Sequence, residues 1–261
     1  MSHLPFEGRG AVITGGGRGV GAEVARRLAA AGASVVVASR TLAQVQAVAA
    51  ELARSGRTAV AVCCDVSDAA SVGRLATSAF ETIGRVDILV NSAGIALAAP
   101  FHRTSLDDWL RTLSVNATGT FLCMKAFLPA MIERGAGRVV NVASTAGLSG
   151  ERYTSAYCAS KHAVLGLTRS VALEVAGSGV TVNAVCPGFL DTQMTKETID
   201  RIVAATGRDR QAATDAITAR NPQHRLITAE EVAAAVVFLC GEQARGINGE
   251  ALVIDGGELR R

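Results

Sequence analysis

The apolar run Gly10-Ala11-Val12-Ile13-Thr14 leads straight into Gly15-Gly16-Gly17-Arg18-Gly19-Val20-Gly21. Ala22 to Ala31 then shows helical periodicity, and Gly32 ends it. Few structures suit this order: a buried strand, a turn with almost no side chains, and a helix packed back on the strand. The glycines let backbone come close to a pyrophosphate. The helix N-terminus offers free N–H groups and partial positive charge to the same anion. The spacing from Gly15 to Gly19 to Gly21 is Gly-x-x-x-Gly-x-Gly, which differs from the Gly-x-Gly-x-x-Gly dinucleotide fingerprint.

The rest of the chain repeats strand and helix in alternation. Apolar runs at Ser34–Ala38, Thr58–Cys64, Asp87–Val90, Arg138–Val142, Val180–Val185 and Ala251–Asp255 read as six further strands. Between them, helical patterns run over Leu42–Ser55, Ala70–Ile83 and Leu106 towards Lys125, around Tyr157, and over Ala229–Cys240. No repeat or linker interrupts them. The expected fold is α/β, Rossmann-type and doubly wound: one domain with a seven-stranded parallel sheet and helices on both faces. Residues 189–227 form a polar tract beyond a strand end, read as two helices (Thr195–Ala205 and Arg210–Ala219) that make a lid over a ligand.

The formal charge is only +3, with no basic block, which argues against nucleic acid as a partner. No apolar run approaches a membrane span, and MSHLPFEGRG lacks the charged start and apolar core of a secretory signal. None of the six cysteines forms Cys-x-x-Cys. They read as reduced thiols, so a cytoplasmic protein without disulfides or a metal site is expected.

Candidate chemistry gathers at strand ends. Tyr157 and Lys161 stand four apart, one above the other on a helix. The expectation is that the ammonium lowers the phenol pKa, fitting it for proton exchange near neutrality. Ser144 follows a strand and is placed to hold a substrate oxygen. Asn116 falls inside a helical pattern, where asparagine is unfavourable without a specific partner; binding a water in the site is one such role. Asn91-Ser92-Ala93-Gly94 puts small residues at a strand edge, leaving room for a flat ligand. Asp65-Val66 ends the third strand, where a carboxylate can accept from an adenine amino group or cap the next helix. After the second strand, where an acidic residue would read an unmodified ribose, stands Ser39-Arg40-Thr41. Arg40, with Arg18 from the glycine turn, suits the 2′-phosphate of NADP(H), with NAD(H) as the alternative.

Taken together, Thr14-Gly15-x-x-x-Gly19-x-Gly21, Asp65, Asn91-Ser92-Ala93-Gly94, Asn116, Ser144, Tyr157-x-x-x-Lys161, Pro187-Gly188 and Asp255-Gly256-Gly257 resemble the short-chain dehydrogenase/reductase family over nearly the whole length. Ser92 stands where the family usually has a second asparagine. Asn183 to Phe189 is similar to bacterial ketoreductases of the 3-oxoacyl-carrier-protein reductase and aromatic polyketide type. The resemblance implies Tyr157 as general acid in reduction and base in oxidation. It implies Lys161 lowering the tyrosine pKa and holding the nicotinamide ribose, Ser144 orienting the carbonyl, and Asn116 holding a relay water. It also implies a cofactor bound by Gly15, Arg18, Gly19, Val20, Gly21, Ser39, Arg40, Asp65, Val66, Asn91, Ala93, Gly94, Tyr157, Lys161, Pro187, Gly188, Leu190 and Thr192. The implied substrate is a small carbonyl or alcohol, including one linked to coenzyme A or an acyl carrier protein. Arg201, Arg208, Arg210, Arg220 and Arg225 are candidates to attract its phosphopantetheine arm. The implied assembly is a homotetramer or homodimer through Leu106–Leu128 and Tyr157–Val175. Two rival expectations are an NAD(H)-linked secondary-alcohol or 3-hydroxyacyl dehydrogenase working oxidatively, and a catalytically silent nucleotide-binding subunit.

Overall fold

Seven parallel strands lie in the order β3-β2-β1-β4-β5-β6-β7. They are β1 Gly10–Thr14, β2 Ser34–Ser39, β3 Ala59–Cys63, β4 Ile88–Asn91, β5 Gly137–Val142, β6 Val180–Pro187 and β7 Ala251–Ile254. The computed structural model describes residues 4–207 and 209–259. The strands read as near-continuous Val, Ile, Leu and Ala because both faces are covered, as parallel sheets require. Helices α1 (Gly19–Ala30), α2 (Leu42–Arg54) and α9 (Ala229–Cys240) pack on one face. Helices α3 (Ala69–Ile83), α5 (Gly119–Arg134) and α6 (Ser155–Val175) pack on the other. This is the expected doubly wound Rossmann-type domain, with its switch point between β1 and β4.

The sequence reading placed a helix from Leu106 towards Lys125, with only a short piece beyond Pro129. Instead α4 (Leu106–Leu113) runs through a π-turn at Ser114–Thr118 into α5, which continues past Pro129 to Arg134. Leu106–Arg134 is 29 residues long and apolar enough by length and composition to cross a membrane. Half of its most apolar window is buried in the fold, where Cys123, Phe127 and Met131 pack beneath the sheet. Its hydropathy therefore belongs largely to the core.

Beyond β6, α7 (Gln193–Thr206) and α8 (Arg210–Thr218) make an excursion closed at its base. The Asp191 N–H donates to the Ile227 carbonyl, and the Ile227 N–H to that of Phe189. Ile199, Ala213 and Ile217 give this excursion a small core of its own. The sequence had ended β6 at Val185; pairing with β7 carries it on through Pro187, opposite Ile254.

Candidate active site

A parallel sheet delivers the C-terminal ends of its strands to one edge. Here they carry Thr14, Ser39, Cys63, Asn91, Val142 and Pro187. The glycine turn lies at that edge, and its form follows from crowding. Gly15 has φ +66°, and a Cβ on it would stand 2.8 Å from the Ala93 nitrogen. A Cβ on Gly21 would meet the Gly15 carbonyl oxygen at 2.4 Å. Arg18 takes the N-cap position of α1, but its side chain does not cap, and no acidic residue lies in the first turn. The first N–H groups of α1 are thus left for an external anion. A Cβ on Gly19 would reach Thr192 Cγ2 at 3.7 Å, so the start of α7 faces the turn across the crevice. These are the features of a dinucleotide cradle, and the residues fit an NAD(P) cofactor.

Around the adenosine end, Ser39 donates to the Thr41 carbonyl at 3.1 Å and its hydroxyl lies beside Gly17. Arg18 and Arg40 are exposed, and neither forms an ion pair among the described residues. The helix-capping role foreseen for Asp65 falls to Asp68. Asp68 caps α3, accepting from the Ala70 and Ser71 N–H groups. Asp65 Oδ1 accepts from the Ser67 N–H and hydroxyl. Burial raises the Asp65 pKa, but the Ser67 bonds and the Arg40 charge outweigh it and hold the carboxyl below its ordinary value. Val20 is buried in the first turn of α1, and Val66 packs against Gly119 at the start of α5.

At the other end, β5 delivers Ser144 and α6 delivers Tyr157 and Lys161. Ser144 accepts from the Ala146 N–H at 3.2 Å, and its hydroxyl is near enough to the Tyr157 phenol to oppose part of the rise in that phenol's pKa. Lys161 Nζ donates to the Val142 carbonyl at 2.8 Å and stands 5.6 Å from the Tyr157 ring centre. Gly94 leaves the space between: a Cβ there would lie 3.3 Å from Asn116 Oδ1 and 3.6 Å from Lys161 Nζ. We expect Gly94→Ala to fold normally yet lose at least about tenfold in turnover, because small displacements of reacting groups carry such costs. Steady-state rates beside a melting curve check this.

The expected lowering of the tyrosine pKa is corrected. Burial pushes the Tyr157 phenol up to about 12, with Ser144 only partly opposing it. Burial also pushes Lys161 down to about 8. The residue is half-buried overall, but its phenol is well desolvated, and Lys161 directs its bond to Val142 rather than to the phenol. Across neutral pH the phenol therefore keeps its proton, the state a proton donor needs.

Asn116 has direct protein partners. Its amide accepts from the Ile95 N–H (2.8 Å) and donates to the Ile95 carbonyl (2.9 Å) and the Ser160 hydroxyl (2.9 Å). The π-turn aims it there, and its first task is to pin the strand of backbone after Gly94 to α6. Sequence reasoning missed Asn141, which accepts from Asn91 and donates to Thr168 across the sheet. Its signal was a polar residue in the otherwise apolar run of β5. It missed Asn221 too, which packs over Gly256, where a Cβ would collide at 2.2 Å.

Of the five excursion arginines, the four described ones all have partners. Arg210 pairs with Asp200, and Arg225 with Glu231 at 2.7 Å. Arg220 bridges Glu151 and Glu258, both at 2.7 Å. Arg201 bonds Thr198 and the Glu197 carbonyl. Arg208 lies outside the described residues.

Residues 9–202 match the family description "short chain dehydrogenase". The chain belongs to the short chain dehydrogenase family. It is 40% identical to the meso-2,3-butanediol dehydrogenase of Serratia marcescens, over 97% of this chain and 96% of that one. It is 38% identical to a putative ketoacyl reductase of Streptomyces coelicolor, over 95% of each. A crystal structure of F189W actinorhodin polyketide ketoreductase with NADPH superposes with a TM-score of 0.93 at 37% identity, covering 96% of this chain and 97% of that one. As a short chain dehydrogenase of the ketoreductase type, the protein is an NAD(P)-dependent oxidoreductase. The catalytically silent reading gives way to an enzyme.

Proposed function

We propose that the enzyme uses NADPH to reduce a ketone to a secondary alcohol, with Tyr157 as the general acid. One observation carries the reading: the Ser144 hydroxyl, just past β5, lies beside the Tyr157 phenol of α6, and Lys161 Nζ stands 5.6 Å from the Tyr157 ring centre. The nicotinamide, when bound, supplies the hydride. The Ser144 and Tyr157 hydroxyls would together polarise the substrate carbonyl oxygen, which would take the phenolic proton as negative charge develops on it. Lys161, an ammonium below about pH 8, holds a ribose hydroxyl and stabilises the phenolate left behind. Asn116 keeps Gly94 and α6 in register beside it. Pro187, Gly188, Leu190 and Thr192 would hold the carboxamide end of the cofactor, and Asn91, Ala93 and Gly94 would leave room for its ring.

Arg18 and Arg40, free of ion pairs, support NADP(H) over NAD(H), as does the NADPH bound by the actinorhodin ketoreductase. We expect Arg40→Asp to lower kcat/KM for NADPH by about 10- to 100-fold, the worth of a charge-assisted bond to phosphate, with NADH far less affected. Equal losses with both cofactors would contradict the assignment. The named ketoacyl reductases make a β-ketoacyl thioester on coenzyme A or an acyl carrier protein the substrate class to try first. The butanediol dehydrogenase keeps an oxidative secondary-alcohol reaction as the second reading. Assays of simple ketones and β-ketoacyl thioesters with both nucleotides test this. Greater activity with NADH, or none on ketones, would reject the reading.

Residues 189–227 serve as a lid, supported by their separate small core and by Thr192 facing Gly19. A homotetramer is supported by the exposed Leu106, Leu110 and Phe121 of α4 and α5 and by Leu173 of α6, which is 81% exposed. A cytoplasmic location agrees with six free cysteines.

A further inference from the structure

The far end of the excursion is tied down by one side chain. Arg220 stands just past α8 and meets three separate segments at the carboxyl edge of the sheet. Its Nη1 donates to Glu151 Oε1 at 2.7 Å, and its Nη2 lies 2.7 Å from Glu258 Oε1. Its guanidinium carbon lies 5.2 Å from the ring centre of Phe189. The next residues fix this seat. A Cβ on Gly256 would collide with Asn221 at 2.2 Å, and one on Gly257 would touch Pro222 at 3.6 Å.

Each of the three segments leads to a group of the site. The Glu151 carbonyl accepts from the Thr154 hydroxyl at 3.1 Å and the Thr154 N–H at 3.4 Å. Thr154 is the N-cap of α6, whose first turn carries Tyr157. The Glu151 carboxylate is also near enough to add to the rise in the Tyr157 pKa. Phe189 follows Pro187 and Gly188 directly. Glu258 follows β7 and packs on Gly188, where a Cβ would stand 3.2 Å from its Oε2.

The two carboxylates depend on this one cation. The side chains of Glu151 and Glu258 are 18% and 8% exposed, and Arg220 is the ion-pair partner of each. Neither has another among the described residues. Burial pushes the Glu258 carboxyl up, and the Arg220 charge opposes it. Carboxylates so far withdrawn from water are costly without a paired charge. With both ends of its guanidinium taken, Arg220 acts as a tie between segments.

We propose that Arg220 is a positioning residue that clasps the lid to the loop ahead of Tyr157, so that lid closure and placement of the general acid are one event. The proposal rests on residues 189–227 as the lid and on Tyr157 as the general acid. Arg220 works through its partners: through Glu151 on the first turn of α6, and through Phe189 and Glu258 on the Pro187–Gly188 backbone.

NADPH-dependent turnover of ethyl acetoacetate and 2,3-butanedione tests this in wild type, Arg220→Gln, Arg220→Lys, Glu151→Gln and the Arg220→Gln/Glu151→Gln pair, with Tyr157→Phe as control. Arg220→Gln should lower kcat at least about tenfold, as small misplacement of reacting groups does. Deuterium at the transferred position of NADPH should slow Arg220→Gln more than wild type, because the chemical step becomes the slow one. A residue that only stabilised the fold would leave that isotope effect unmoved. Arg220→Lys should recover part of the loss, since a point charge reaches one carboxylate and not both. The paired variant should be no worse than Arg220→Gln, because both changes open the same clasp. Glu151→Gln keeps the side-chain shape and leaves Arg220 on Glu258, so it reads the same losses at smaller amplitude should Arg220→Gln fail to fold. Hydrogen exchange needs no turnover: Glu151→Gln should speed exchange in α8, which is distant in sequence. An inactive Tyr157→Phe beside an Arg220→Gln within about twofold of wild type overturns the clasp and leaves the general acid standing. Losses that multiply in the pair, or α8 exchange unmoved by Glu151→Gln, also overturn the clasp. Full turnover in Tyr157→Phe, or reduction of neither ketone by wild type, overturns the reading of the site and the clasp with it.

Discussion

Replacing Tyr157 by phenylalanine is expected to cut ketone reduction by about 10²- to 10⁴-fold, the usual worth of a positioned general acid. NADPH affinity should stay largely intact, because the ring and its packing remain. The loss should fall on kcat and kcat/KM alike, the pattern of an interaction made in the transition state. The two pKa shifts give this a pH signature. With the phenol at about 12 and Lys161 at about 8, raising the pH does not first deprotonate the donor; it first removes the ammonium that stabilises the phenolate product. Reduction by the wild type should therefore decline as pH rises through about 8, the protonated lysine being the active form below it. Undiminished turnover in Tyr157→Phe, or a rate that climbs across that range, would reject the assignment.

The second large effect belongs to the glycine turn. A Cβ on Gly21 would stand 2.4 Å from the Gly15 carbonyl oxygen and 2.8 Å from its carbon. Both are backbone atoms, so no side chain can swing away. Either the turn moves or α1 lifts off β1. Gly21→Ala is expected to destabilise the fold by about 1–3 kcal/mol, as overpacking of a close contact does. It should also weaken NADPH binding much more than a surface change would, since the displaced turn carries the N–H groups that face the pyrophosphate. Denaturant melts and fluorescence titration of NADPH check the two parts separately. A variant with wild-type stability and affinity would show that the turn is not the cradle described.

What could be read from the chain alone was local. Gly15, Gly19 and Gly21 declare a strand–turn–helix because backbone crowding lies within a few residues of them. The four-residue spacing of Tyr157 and Lys161 needs only a helix to align them. The seven strands follow from apolar runs that both faces of a parallel sheet demand. What was misread depended on distant neighbours. The Tyr157 pKa moves up because the tertiary fold desolvates the phenol, while the Lys161 ammonium donates to the Val142 carbonyl of β5. The main partner of Asn116 is the backbone of Ile95, twenty-one residues away, reached through a π-turn that leaves no composition signal. Whether the arginines beyond β6 were a cationic cluster or solvated side chains also depended on distant residues: Asp200, Glu151, Glu258 and Glu231 meet Arg210, Arg220 and Arg225.

A crystal structure of the NADPH complex tests the central claim most directly. The prediction is a nicotinamide ring over Gly94 with the Tyr157 hydroxyl on the side open to substrate, its ribose within hydrogen-bond reach of Lys161, and the 2′-phosphate between Arg18 and Arg40. A nicotinamide seated away from Tyr157, or a 2′-phosphate that meets neither arginine, would contradict the account.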